Sequence, residues 1–287
     1  MSPITAEEEF FKNSNLKREN IEHLRYWISK QPHLPNGIRD EQLILFLHCC
    51  QHRLEDCKQV IETYYTIRTH SPEIFGNRDP KGEEVQRNLS IFEFANLPKR
   101  DQHGNVVMAV RVSDPDANKF SHSAALKTYF MVQDAIMLET GTVPGYVFLL
   151  DAKGCGLGHI TKLKISYMKL YAEYLQEAFP GNVVATHLVN SNYFTKAAFA
   201  VMKRFCNTDM ADKLFVHTSM DTLYSHISKD SLPKDFGGKL DSMATYHKVM
   251  VEQLELCTGW FKDEEAIRVD ESKRPVKAKC MGEILDN

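Results

Sequence analysis

The sequence predicts an α/β protein, with a mostly parallel sheet covered by helices and a small all-helical unit in front of it. Three observations lead there. The first 70 residues carry only helical periodicity; a turn-rich joint, GNRDPKG at 76–82, follows; beyond it, β-branched runs alternate with helical stretches, as parallel strands and their crossover helices do. These imply a helical domain over 1–75, an α/β domain over 83–245 and a C-terminal helix with a charged tail over 246–287.

Each element has a local reason. Ile21, Leu24 and Ile28 recur at helical spacing until QPHLPNG breaks the pattern with two prolines and a glycine. Asp40 is placed to cap the helix EQLILFLHCC, and a third helix runs from about Leu54 through Val60, Ile61, Tyr64 and Ile67 until Pro72 follows. NVVMAVRV (105–112), after the turn DQHG, has the β-branched content of a strand. A helix over about 123–139 stops before Gly141 and Pro144, and GYVFLLD (145–151) is the next strand. There follow a helix over about 161–179, a strand at 183–189, a helix from Tyr193 to Phe205, a short strand at 214–217 and a helix over about 221–227. The last helix passes through Val249, Leu254 and Leu256; from Lys262 the chain is charged enough to predict a tail outside any core.

Composition narrows the function. At 287 residues and 43% hydrophobic the chain can bury a full core, and a formal charge of −3 lacks the basic excess of a nucleic-acid binder. Glu7, Glu8 and Glu9 stand where a secretory signal needs apolar residues, and no apolar run approaches the length of a membrane span, so a cytoplasmic protein is expected. Seven cysteines without a CxxC pair predict reduced thiols. HCCQH (48–52) has a zinc-like spacing, but the neighbouring sequence supplies no further ligands, so packing is the expected role and no metal is assigned.

VFLLDAKGCGLGHITK (147–162) invites a nucleotide-binding reading, since a strand ending in Asp151 runs into Gly154, Gly156 and Gly158 ahead of a helix. The spacing fails, because His159 stands where the third glycine of a dinucleotide loop belongs. No P-loop, nucleophile elbow or HExxH pair occurs either, so neither an enzyme nor a cofactor is expected. What remains is apolar. In YFTKAAFAVMKRFC (193–206), Phe194, Ala197, Ala198, Val201, Met202 and Phe205 form one stripe expected to face inward, with Lys196, Lys203 and Arg204 away from it and Phe199 projecting beside the lysines as an interfacial aromatic.

FLLDAKG, EAFPGNVVATHLVN, this helix and LPKDFGG (232–238), in that order, resemble the CRAL-TRIO family of lipid-binding and lipid-transfer proteins. LFLHCCQHRLEDCKQVIETYYTIRTHSPEIF resembles the family's companion helical domain, and together the resemblance spans roughly residues 10–245. It implies a curved sheet around a closed apolar cavity, with the helix Tyr193 to Phe205 as a mobile lid and the glycine loop as a plain strand-to-helix turn. It also implies a soluble, monomeric carrier of one tocopherol- or retinoid-like molecule, cytoplasmic and transiently at anionic membranes. Ligand contacts would come from Tyr129, Phe130, Gln133, Tyr146, Phe148, Leu150, Tyr171, Tyr174, Leu175, Val183 and Thr186, with Phe194, Ala198, Val201 and Met202 from the lid; Gln133 and Thr186 would be the polar partners. Phe194, Phe199, Met202 and Phe205 would meet the membrane, and Lys196, Lys203, Arg204 and Lys213 its anionic lipids, phosphatidylinositol bisphosphate among them. Of the family's basic patch only Lys213 keeps a positive charge; the other positions read Cys50, Asn182, Val184 and Asp209. The rival reading is an interaction protein in which the lipid is a plug and the helical domain or tail recruits a trafficking partner.

Overall fold

A computed structural model describes residues 3–275. The N-terminal helices are α1 (Ala6–Lys12), α2 (Arg18–Ser29), α3 (Asp40–Cys49), α4 (Leu54–His70) and the single turn α5 (Pro72–Phe75). Ile21, Leu24 and Ile28 bury one face of α2 in a core shared with Leu43, Leu47, Ile61 and Tyr64. Asp40 does not cap α3: Arg39 holds the cap position without a side-chain bond, and Asp40 is the first helical residue, paired with Arg25 at 2.5 Å. Helix α1 escaped prediction because AEEEFFK has too few apolar residues to show a period. It is fixed instead by a Thr5–Glu8 capping box and by the buried Glu9, which accepts from the Thr142 N–H at 2.8 Å and hydroxyl at 2.5 Å. Gly141 makes that contact possible, since any Cβ there would collide with the Glu9 carboxylate.

After the joint come α6 (Glu83–Ile91) and β1 (Phe92–Asn96), neither of which was foreseen. The sheet then adds β2 (Val106–Val112), β3 (Tyr146–Asp151), β4 (Val183–Val189) and β5 (Leu214–Val216) in that spatial order. Only the β1–β2 pair is antiparallel; the other three are parallel. Both faces are covered, which is why the strands read as continuous apolar runs. Met108, Tyr146 and Phe148 face α7 (His122–Thr140), whereas Val107, Val147 and Leu149 pack against Leu223, Leu232, Phe236 and Met243. The helix expected at 161–179 begins only at α9 (Ile165–Glu173) and closes in a π turn (Tyr174–Ala178), and a separate single turn, α8 (Leu157–Ile160), precedes it across a break. In the break, Ile160 and Leu163 turn toward the mouth of a hollow. The chain continues through α10 (Tyr193–Lys203), α11 (Thr208–Asp212), α12 (Met220–Tyr224), α13 (Met243–Leu256) and α14 (Thr258–Glu265).

The expectation of an unpacked tail from Lys262 is overturned as far as residue 275; residues 276–287 lie outside the described residues. Glu264 and Val269 are buried, the Val269 N–H donates to Thr69 Oγ1 at 2.9 Å, and Arg274 reaches Glu62 and, at 2.8 Å, Thr66. The charges that argued for a free tail are spent on the N-terminal helices. Beneath them Arg68 and Arg78 meet Asp134 and Glu264, all at least nine-tenths buried. Arg68 forks onto Asp134 at 2.7 and 3.0 Å, Arg78 reaches Asp134 at 2.7 Å, and Tyr174 accepts from Arg68 at 3.0 Å.

On the other side of the sheet, His187 lies 2.9 Å from His217, which lies 2.8 Å from Thr222 Oγ1; that hydroxyl donates to the Ser219 carbonyl. The chain of bonds therefore runs one way, from the His187 N–H outward. Burial, aided by repulsion from His217 and His226, pushes His187 down to about 3 from an ordinary 6.5. The unfolded chain takes up this proton first. Above pH 6.5 the group is neutral in both states; as pH falls toward 3 the fold loses about 1.4 kcal/mol per pH unit on this account alone. His122 and His217 shift in the same direction. Urea midpoints are expected to drop between neutral pH and about pH 5; a flat profile would contradict neutral burial.

Candidate functional site

A hollow of about 300 Å³ opens between α10, the α8–α9 break, the first half of α7 and the ends of strands β1 to β3. Phe92 and Phe94, on the unforeseen strand β1, join Leu126, Tyr129, Leu150 and Tyr171 in a lining that is almost all carbon. The glycine loop shapes its rim. Asp151 Oδ1 accepts from the Lys153 N–H at 2.9 Å and from Asn190 Nδ2 at 2.8 Å, which ties the ends of β3 and β4 together. Gly154 takes φ +90°, as the turn from strand to helix requires.

Helix α10 covers the hollow. Asn192 Oδ1 caps it by accepting from the N–H groups of Phe194 and Thr195, both at 3.0 Å, and Asn192 Nδ2 donates to the Cys155 carbonyl at 2.5 Å. These bonds set the rotation of the helix, which keeps Ala198 and Met202 on the inner face but exchanges Phe194 for Phe199 there. Thr195, Ala198, Phe199 and Met202, at i, i+3, i+4 and i+7, turn inward, and Phe199 packs among Ala152, Leu188 and Leu214. Tyr193, 80% exposed, and Phe194, 39%, turn outward. Almost every non-lysine position of this helix is apolar, so two overlapping stripes fit the same periodicity and only the cap and the bulk of Phe199 decide between them.

Of the residues expected to contact a ligand, Tyr129, Leu150, Tyr171, Ala198 and Met202 line the hollow. Phe194 and Val201 do not; Phe194 is outside and Val201 half-buried on the flank. Phe130, Tyr174, Leu175 and Val183 lie in solid core, where the Phe130 ring sits 4.7 Å from Tyr174 and 5.0 Å from Phe75. Gln133, Tyr146 and Phe148 surround a crevice too narrow for water. Within this core both Gln133 amide atoms, the Tyr146 hydroxyl and the Thr186 hydroxyl have no partner among the described residues. Lys196, Lys203 and Arg204 are exposed and form no ion pair among the described residues, whereas Lys213 is paired with Asp209 at 2.7 Å; Phe205 is half-buried.

Sequence reasoning missed His122. Its Nδ1 accepts from the Lys164 N–H at 2.9 Å, so the proton sits on Nε2, and burial, with Lys164 adding repulsion, drives its pKa to about 4. A neutral donor therefore stands on the wall of a largely apolar space. The signal was present, since His122, Leu126 and Tyr129 share one helical face at i, i+4 and i+7. Deeper in, the Tyr129 and Tyr171 hydroxyls are 3.1 Å apart.

A doubly covered α/β sheet, fronted by a helical unit and hollowed beneath an amphipathic helix, defines a container fold rather than a nucleotide fold. Residues 93–238 match the family described as CRAL/TRIO domain and residues 9–85 the one described as Pinta-like, UBA domain. The chain belongs to the CRAL/TRIO family. Among similar proteins, human alpha-tocopherol transfer protein-like is 27% identical over 252 residues, 86% of this chain and 73% of the relative. Mouse clavesin-1 is 23% identical over 88% of this chain and 73% of its own length. The crystal structure of Sfh5 superposes with a TM-score of 0.52 at 11% identity, over 83% of this chain and 96% of that one, a likeness of fold alone. Among the described residues no helix is long and apolar enough to cross a membrane.

Proposed function

We propose that this protein binds one hydrophobic molecule in the hollow beneath α10 and carries it between membranes, with α10 as the door. The hollow itself carries the reading: about 300 Å³ is at the lower edge of ligand-sized space, and water gains little from so apolar a lining. A guest that buries about 400 Å² there gains roughly 10 kcal/mol of gross hydrophobic free energy, which makes escape through water slow. Aromatic walls at Phe92, Phe94, Tyr129 and Tyr171 favour a ringed isoprenoid, tocopherol- or retinoid-like. The His122 N–H and the tyrosine pair offer hydrogen bonds to an oxygen on it. Similarity to a protein named for tocopherol transfer supports that class. The role needs no catalytic residue and no cofactor.

Membrane contact falls to the outer face of α10. Tyr193 and Phe194 are exposed there, Leu157 and Ile165 are exposed on the helices it packs against, and Lys196, Lys203 and Arg204 add about 1 kcal/mol each near an anionic surface. Replacing Tyr193 and Phe194 together by glutamate is expected to slow ligand transfer to anionic vesicles at least about tenfold, with the bound amount unchanged. Transfer at the wild-type rate would overturn the assignment of α10 as the door.

A further inference from the structure

On the face of the sheet opposite the hollow, three histidines from three elements meet. His187 lies on β4, His217 directly after β5 and His226 just after α12. Their ring centroids stand 5.0 Å apart from His187 to His217, 5.0 Å from His187 to His226 and 5.7 Å from His217 to His226. Phe215 lies against two of them, 5.2 Å from His187 and 4.7 Å from His226. Among the described residues the ring nitrogens of the three bond only to one another and to Thr222, and His226 uses neither of its own.

Three imidazoles with no carboxylate paired to them gain nothing from protonation. Burial and mutual repulsion hold His187 and His217 below the ordinary histidine value, so both keep their lone pairs at neutral pH. Such a set of neutral imidazoles is what a borderline divalent cation takes as ligands. The spacing fits as well: with metal–nitrogen bonds of about 2.0–2.1 Å, imidazole centroids around a tetrahedral cation stand about 5 Å apart. An outer partner is already in place, because the His217 Nδ1–H donates to Thr222 Oγ1 at 2.8 Å and so turns the Nε2 lone pair toward His187. As they stand, the rings do not bring three lone pairs to one point.

We propose that His187, His217 and His226 bind one first-row divalent cation of the zinc type, with water at the fourth position on the side of the half-exposed His226. The cation replaces the proton that His187 Nδ1 shares with His217 Nε2; that proton moves to Nε2 of the same ring, so none is lost. The 2.9 Å separation of these nitrogens opens to about 3.3 Å, that of two ligands on one tetrahedral cation. His226, whose ring no hydrogen bond holds, turns to supply the third lone pair. Bound there, the cation clasps the end of α12 to β4 and β5. The same two strands carry Leu188 and Leu214, which seat Phe199 on the opposite face, so the clasp stiffens the wall against which α10 packs. The site does not depend on the lipid-carrier reading.

The test is a calorimetric titration of the full chain, first stripped with a chelator, with Zn²⁺. One ion per chain is expected, with a Kd of about 10 μM or lower, and a higher melting temperature with it. His226→Phe keeps a ring over Phe215 and removes no hydrogen bond, so it should fold normally, and it is expected to weaken binding at least about tenfold. Thr222→Val removes a positioning residue that does not touch the ion; it is expected to weaken binding about tenfold while Co²⁺ in the site keeps its tetrahedral absorption. In NMR spectra the ring signals of His187, His217 and His226 should shift together at one equivalent of Zn²⁺, which separates this site from scattered surface histidines. Binding weaker than about 10 μM, or wild-type affinity in His226→Phe, would overturn the proposal.

Discussion

Asp134→Ala is expected to destabilise the protein by about 3–5 kcal/mol, the largest effect of any single substitution considered for this fold. Asp134 is the carboxylate that both Arg68 and Arg78 share, from α7 to α4 and to the joint before α6. Its removal leaves two buried guanidinium groups with Glu264 as their remaining close carboxylate, and neither can shed its proton to escape the cost. The damage is not local, because these four side chains join the N-terminal helices, the sheet domain and α14 at one point. For a chain of this length the melting temperature should fall by about 10 °C. Urea denaturation monitored by Trp260 fluorescence checks it, since that ring lies 5.8 Å from the Arg78 guanidinium; a shift under about 1 kcal/mol would mean that water or rearranged partners replace Asp134 without cost.

On the proposal that α10 is a door, Phe199→Ala should act on it alone. The Phe199 ring is the largest group that α10 buries, against Ala152, Leu188 and Leu214, and truncating such a ring costs about 3–4 kcal/mol of packing. That loss falls on the closed position of α10, so the open population is expected to rise by about a hundredfold or more while the sheet and the other helices keep their stability. Ligand retained through purification should fall accordingly.

The sequence made the sheet legible because β2 to β5 each alternate with a helix whose period differs from theirs. It hid β1, whose FEFA core is too short to read and follows α6 without a turn. It also hid α1 and α14, where burial is secured by Glu9, Glu264 and their partners rather than by an apolar stripe. Charge density in the last segment argued for a free tail, since a sequence does not show which charges will meet opposite charges elsewhere. At the site, periodicity located α10 but could not orient it, because Phe194 and Phe199 compete for the inner face and the Asn192 cap settles the contest. Residues expected deep in a cavity, such as Gln133 and Thr186, are instead in closed core, where their side-chain polar atoms have no partner among the described residues.

The most direct measurement is a mass spectrum of the organic extract of the purified protein, beside that of Phe199→Ala. The account predicts close to one hydrophobic molecule per wild-type chain, ringed and bearing an oxygen, and much less in the variant. An extract with no such molecule, from protein that also takes up none from vesicles, would contradict it.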